Sequence, residues 1–256
     1  MERRTHAVLD AARAAGVRYV DAARSYGRAE EFLASWLQSR GVAPGELTVG
    51  SKWGYRYTGD WRMDAPVQEE KDHSVAAFRR QLAETRSVLG AHLDLYQVHS
   101  ATPDSAVLED AEVLGALAEL TAEGVAVGLS VSGPRQAEVV HRALALAVGG
   151  VGPFSAVQAT WNLLEPSVSP ALEAAHDRGW GVIVKEVLAN GRLADIAGGA
   201  MAAAAALPWA DVVLSGAVTP GQLRAGVRAV TGGEAAAPRP ETPVEYWRRR
   251  AGLPWH

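Results

Sequence analysis

Short runs of apolar, often β-branched residues recur along the chain, at residues 17–20, 47–49, 93–98, 125–129, 156–159, 181–184 and 211–214. Between them lie longer segments whose apolar positions repeat at helical spacing: residues 7–15, 30–38, 75–89, 113–122, 136–146 and 171–178. This alternation predicts strand and helix in turn. Successive runs begin about 25 to 45 residues apart, enough for a crossover helix with its loops, so the strands are expected to be parallel. Several runs are apolar nearly throughout, as in strands covered on both faces. A closed barrel and an open doubly wound sheet both satisfy that pattern. The alanine-rich residues 201–206 predict a short helix. Residues 231–239 read as loop, and residues 246–250 as a short amphipathic helix with Arg248, Arg249 and Arg250 on a solvated face.

Composition narrows the possibilities. The 256 residues carry 29 acidic and 25 basic side chains, a formal charge of −4. That balance supplies no cationic stripe for phosphates, so nucleic acid is not an expected partner. With no cysteine, disulfides, a thiolate nucleophile and Cys-ligated zinc or iron–sulfur centres are excluded, and no metal site is expected. A reducing cytoplasm fits. Asp10 and Arg13 interrupt any signal-peptide apolar region near the start, so no secretion is expected. Two uncharged stretches, residues 143–164 and 196–210, are unsuited to span a bilayer. The first is broken by Gly149, Gly150, Gly152 and Pro153; the second is short and holds Pro208. The nearest match to a Gly-x-Gly-x-x-Gly loop, residues 150–155, lacks its third glycine and reads as a turn.

Polar residues that a strand does not need stand at the C-terminal ends of the apolar runs: Asp21, Lys52, His99, Ser130, Gln158, Lys185 and Ser215. In a βα barrel those ends form one face, where residues from separate strands converge on a pocket. Asp21 and Lys52 would each lose water there and are expected to pair, whether to close the barrel or to serve chemistry. Tyr26, five residues beyond Asp21, can reach the same pocket, where a nearby ammonium would pull its pKa down and suit it to act as a general acid. His99 could hydrogen-bond a carbonyl oxygen, or simply fill the packing at a strand end. The aromatic-rich residues 53–61 are expected to form a loop that either walls an apolar substrate pocket or anchors itself by packing. Trp53 is the leading substrate contact there, with Trp161 opposite.

Asp21-Ala22-Ala23-Arg24-Ser25-Tyr26-Gly27 resembles the Asp-x-Ala-x-x-Tyr-Gly signature of the aldo-keto reductases. Ser51-Lys52 resembles their strand-end lysine, and Leu93-Asp94-Leu95-Tyr96-Gln97-Val98-His99 their histidine strand. The resemblance implies a TIM-type (β/α)8 barrel over residues 1–256 as one domain, with about seven strands from this chain. The family's first strand has no counterpart, so either the native start lies upstream of Met1 or another segment or another chain would cover the gap. It also implies reduction of a small aldehyde or ketone with a nicotinamide cofactor, usually NADPH. Arg224 is the sole basic residue of the 216–224 segment, so NADH stays open. Tyr26 would donate the proton, Lys52 and Asp21 would tune it, and His99 would polarise the carbonyl.

Further similarity assigns Ser130 and Gln158 to the nicotinamide amide, Leu188 and Gly191 to the pyrophosphate, and Ser215, Gly216 and Gln222 to the adenosine end. Several positions depart from the pattern: Val131 replaces an asparagine, Lys185 a stacking tyrosine, and Gly226 an adenine-binding asparagine, and residues 193–211 are shortened. Each substitution removes a hydrogen bond or a stacking face and would weaken cofactor binding, unless Lys185 instead offers charge to cofactor or substrate. Two other readings use the same residues: a non-catalytic cofactor-binding or regulatory protein, and a non-redox acid–base enzyme.

Overall fold

The structure, a computed structural model, describes residues 1–58, 69–146 and 152–253. Seven parallel strands form the main sheet: β1 (Tyr19–Asp21), β2 (Thr48–Trp53), β5 (Leu95–Ala101), β6 (Ala126–Val131), β7 (Ala156–Thr160), β8 (Gly181–Lys185) and β9 (Val212–Val213), paired in that order. The sheet curls into a nearly closed barrel in which, among the described residues, no strand stands between β1 and β9. All seven expected strands are present. An antiparallel hairpin, β3 (Tyr55–Tyr57) and β4 (Glu69–Lys71), occupies part of the segment expected to be loop. Trp61 lies outside the described residues, as do the glycines at 149 and 150.

The helices are α1 (Glu2–Ala14), α2 (Ala29–Ser39), α3 (Val75–Leu89), α4 (Ala111–Ala122), α5 (Gln136–Leu144), α6 (Ser169–Asp177), α7 (Ala197–Ala205), α8 (Pro220–Gly232) and α9 (Pro243–Ala251). Local chemistry sets several starts. Ser74 caps α3 through the Ala77 amide, and Asp110 accepts from the Glu112 and Val113 amides of α4. Thr219 and Gln222 form a reciprocal capping box on α8, a helix that the apolar spacing did not predict. No helix among the described residues is long and apolar enough to cross a membrane.

Strand alternation divides the core in two. Side chains pointing away from the barrel axis, among them Val49, Trp53, Tyr96, Val98, Leu129, Val157 and Val184, join the helices in the main apolar cluster. Those pointing inward form a small plug of Leu95, Ala156 and Ile183, with Tyr19, Val212 and Leu214 packed against it. Above the plug the inward positions turn polar, because Asp21, Lys52, Gln97, Ser130 and Gln158 follow at two-residue steps. Over the β1–β9 gap, Ala11 and Ala12 of α1 meet Leu223 of α8.

Candidate active site

The inward polar layer centres on Asp21. The Lys52 ammonium, 1% exposed, forms an ion pair with its carboxylate and donates to the Ala22 carbonyl at 2.8 Å. Three further donors converge on Asp21 Oδ1: the Tyr19 hydroxyl at 2.9 Å, Gln158 Nε2 at 3.3 Å and Gln97 Nε2 at 3.4 Å. Gly50 makes room for this arrangement, since a Cβ there would stand 2.2 Å from the Tyr19 hydroxyl oxygen. Burial works to lower the Lys52 pKa, but the Asp21 carboxylate together with Tyr26 outweighs it and holds the amine above its ordinary range. The expected Asp21–Lys52 pair therefore forms, and Lys52 is a fixed cation.

Tyr26 sits on the connection between β1 and α2, followed by Gly27 in the left-handed region at φ +58°, a conformation that costs glycine little. The connection is anchored from beneath. Glu30, 2% exposed, accepts from the Arg24 guanidinium and from the Ser51 and Thr85 hydroxyls. This places the Tyr26 hydroxyl 3.4 Å from His99 Nε2, and the Lys52 ammonium 5.2 Å from the centre of the Tyr26 ring. The expected drop in the Tyr26 pKa does not occur. Burial, assisted by Asp21, outweighs the opposing pull of Lys52, so the pKa is raised and Tyr26 stays a protonated phenol. The residue nevertheless keeps 49% of its surface exposed at the mouth of the barrel.

A bulge in β5 aims His99. Val98 pairs with Leu129 but Ala101 with Val131, an extra residue on β5, and Ser100 takes φ +54°. Such bulges kink a strand and redirect its side chains. Behind the bulge, His73 Nε2 donates to the His99 carbonyl at 3.0 Å, and Tyr55 packs edge-on against the His99 ring at 5.0 Å. Burial, with Lys52 and Lys185 nearby, drives the His99 pKa well below the usual value, so the imidazole is neutral. Its Nδ1 has no partner among the described residues.

Ser130, Gln158 and Lys185 lie side by side on β6, β7 and β8, with Ser130 in register with Gln158. The Lys185 ammonium reaches across to Ser130 Oγ at 3.0 Å. Leu188 is half-buried, Gly191 takes φ +92°, and Ser215 and Gly216 are exposed before α8. Gln222 accepts from the Val218 and Thr219 amides through Oε1, which commits that atom to the helix cap.

The two tryptophans lie elsewhere. Trp53 follows the inward Lys52 and so points outward, fully buried against Phe78 and His73. Trp161, 4% exposed, donates to Ser169 Oγ at 2.9 Å and packs on Trp209. Both are core residues here rather than walls of a substrate pocket. Arg250 also departs from expectation: with its side chain still 38% exposed, it pairs through two nitrogens with Glu186, next to Lys185. Arg249 and Arg192 share Glu241, and Asn162 donates to the buried Tyr246 hydroxyl at 2.9 Å, so α9 is fixed beside the rim. Tyr19 and Gln97 were not singled out from the sequence. Each stands two residues before an inward strand-end residue, which was the available signal.

A nearly closed parallel barrel carrying a carboxylate, an amine, a phenol and an imidazole at the C-terminal ends of its strands defines a class of barrel proteins with a rim-borne site. The profile of the aldo/keto reductase family matches residues 2–199, and the chain belongs to that family. Aldo-keto reductase str7 of Strobilurus tenacellus is 29% identical over 193 residues, 73% of this chain and 51% of its own. A D-threo-aldose 1-dehydrogenase of a Pseudomonas species is 29% identical over 206 residues, 73% of this chain and 60% of its own. The chain thus spans between half and three-fifths of the length of these relatives. Among solved structures, a Pseudomonas aeruginosa protein described as an aldo-keto reductase superposes with a TM-score of 0.74 at 26% identity, covering 91% of this chain and 84% of that one. The holo form of a Bacillus halodurans aldo-keto reductase shares the fold, with a TM-score of 0.72 at 20% identity over 98% and 88% of the two chains.

Proposed function

We propose that the chain, acting as one barrel domain, is an oxidoreductase that reduces a small aldehyde or ketone to an alcohol with NADPH. The observation that carries this reading is the Tyr26 hydroxyl held 3.4 Å from His99 Nε2, with the Lys52 ammonium against the phenol ring. Two hydrogen-bonding groups aimed into one opening can share a single carbonyl oxygen, polarising it as negative charge develops there. Tyr26 holds its proton because burial keeps its pKa high, and as charge builds on that oxygen the phenol transfers it. Lys52 then stabilises the phenolate, while Asp21 keeps Lys52 charged and in place. Neutral His99 orients the substrate without adding charge.

The residues on β6 to β8 fit a nicotinamide cofactor. The Ser130 hydroxyl and the Gln158 amide, side by side in register, match the acceptor and donor of a carboxamide. Lys185 would lie next to the ring, and Leu188 and Gly191 would border the pyrophosphate. Ser215 and Gly216, ahead of the 13-residue α8, would receive the adenosine end with Gln222 close by. When bound, the cofactor would supply the hydride.

The test is Tyr26→Phe, with NADPH oxidation followed against a panel of small carbonyl compounds. Turnover is expected to fall by about 10²- to 10⁴-fold, the range for loss of a general acid, with the NADPH dissociation constant unchanged. An equally active variant removes Tyr26 from the chemistry, and failure of the wild-type protein to bind NADPH overturns the reductase reading.

A further inference from the structure

We propose that Lys185 makes the site discriminate between the two redox forms of its cofactor, the ammonium opposing the ring that is positively charged when oxidised. This rests on the reading of Ser130 and Gln158 as the nicotinamide cradle. The geometry is that of an uncompensated cation. Lys185 extends from β8 past β7 to Ser130 on β6, and among the described residues that neutral hydroxyl is its one hydrogen-bond partner. No carboxylate lies within ion-pair distance of its nitrogen among the described residues.

The charges around Lys185 cancel in pairs without it. On the β1 and β2 side, Asp21 is bound to Lys52. On the α9 side, Glu186 is held by Arg250 and by Asn190. From β5 comes neutral His99, and from β6 and β7 the neutral Ser130 and Gln158. One positive charge remains on the floor of the cradle. An ammonium tolerates the uncharged reduced ring and repels the cationic oxidised one. The consequence is easy loading of reduced cofactor and rapid discharge of oxidised cofactor, with weak product inhibition. Burial, partly offset by Glu186, brings the Lys185 pKa down to about 8, so the discrimination should be present below that pH and fade above it.

The experiment measures dissociation constants for NADP⁺ and NADPH by calorimetry, across about pH 6.5 to 9.5, for wild type, K185M and K185R. Because both forms share the adenosine 2′-phosphate, its titration cancels in the ratio of the two constants. The wild type is expected to bind NADPH at least about tenfold more tightly than NADP⁺ at the acid end, with the ratio shrinking toward the alkaline end. In K185M the ratio should approach one at every pH, and in K185R it should persist at every pH. Equal affinities in the wild type, a ratio unchanged in K185M, or its loss in K185R each overturn the proposal while leaving the role of Tyr26 standing. Failure of the wild type to bind either form overturns the proposal and the cofactor assignment together.

Discussion

Replacing Asp21 with asparagine tests the electrostatic centre of the barrel. In the wild type the carboxylate is 11% exposed and its Lys52 partner 1% exposed, so the substitution leaves a desolvated ammonium without its counter-charge. Breaking a buried pair in this way costs about 3–5 kcal/mol. For a chain of this size that corresponds to a fall in Tm of about 6 to 20 °C. The sign of the pH dependence follows from Lys52. In the wild type its pKa is raised on folding, so its contribution is complete below the unfolded value of about 10.4 and fades as pH climbs through the folded one. In D21N burial, the largest influence, is opposed only by Tyr26, so the folded pKa should fall below the unfolded one and the penalty deepen as pH drops toward neutrality. Urea denaturation at about pH 7 and pH 9.5 should therefore show a larger deficit for D21N at the lower pH. Asp21→Leu combined with Lys52→Met should recover part of the loss, because removing both charges leaves no unpaired ion, although the Tyr19, Gln97 and Gln158 donors lose their acceptor. A D21N deficit below about 1 kcal/mol at neutral pH, the range of a surface pair, would refute the reasoning. So would a double variant no more stable than the worse single one.

Three further outcomes are expected. Glu30→Ala should lower stability by about 3 kcal/mol by unpairing Arg24 and removing the acceptor of Ser51 and Thr85, and hydrogen exchange at residues 22–28 should quicken; unchanged exchange there would show that Glu30 does not anchor the Tyr26 connection. Arg250→Ala should cost about 1 kcal/mol, since the pair is partly solvated, and should speed proteolysis at α9. The Glu186 pKa, held low by Arg250 and Lys185 against the upward push of burial, contributes stability above the unfolded value that is lost as pH falls through the folded one. Acid sensitivity should therefore be smaller in R250A, and an identical acid profile would exclude the pair from that role. Trp53→Ala should destabilise by about 3–5 kcal/mol, the cost of emptying a fully buried aromatic site, whereas Trp53→Phe should leave KM for any substrate unchanged; a KM shift in the phenylalanine variant would return Trp53 to the pocket wall.

The order of elements was legible because it is local. All seven apolar runs became strands, and residues 75–89 match α3 at both ends. The hairpin of β3 and β4 was hidden because its second strand, Glu-Glu-Lys, has no apolar alternation to signal it. Helix α8 was also missed, although Thr219, Pro220 and Gln222 carry the signature of a capping box. Of the seven polar strand-end residues, six line the barrel opening, while Ser215 follows the two-residue β9 at the exposed margin.

The sequence by itself determined which residues share a face. A strand repeats every two residues, so the inward setting of Lys52 sends Trp53 into the outer core whatever the loops do. The ordered Asp21, Tyr26, Lys52 and His99 motif likewise marked the family. Tertiary structure alone decided the charge states. Whether Tyr26 gains or loses acidity depends on how far burial outweighs one ammonium, and whether Arg250 is paired depends on Glu186, 64 residues away along the chain. Periodicity encodes the direction a side chain points, but proton affinity is set by distance and desolvation, which exist only once the strands have closed around the site.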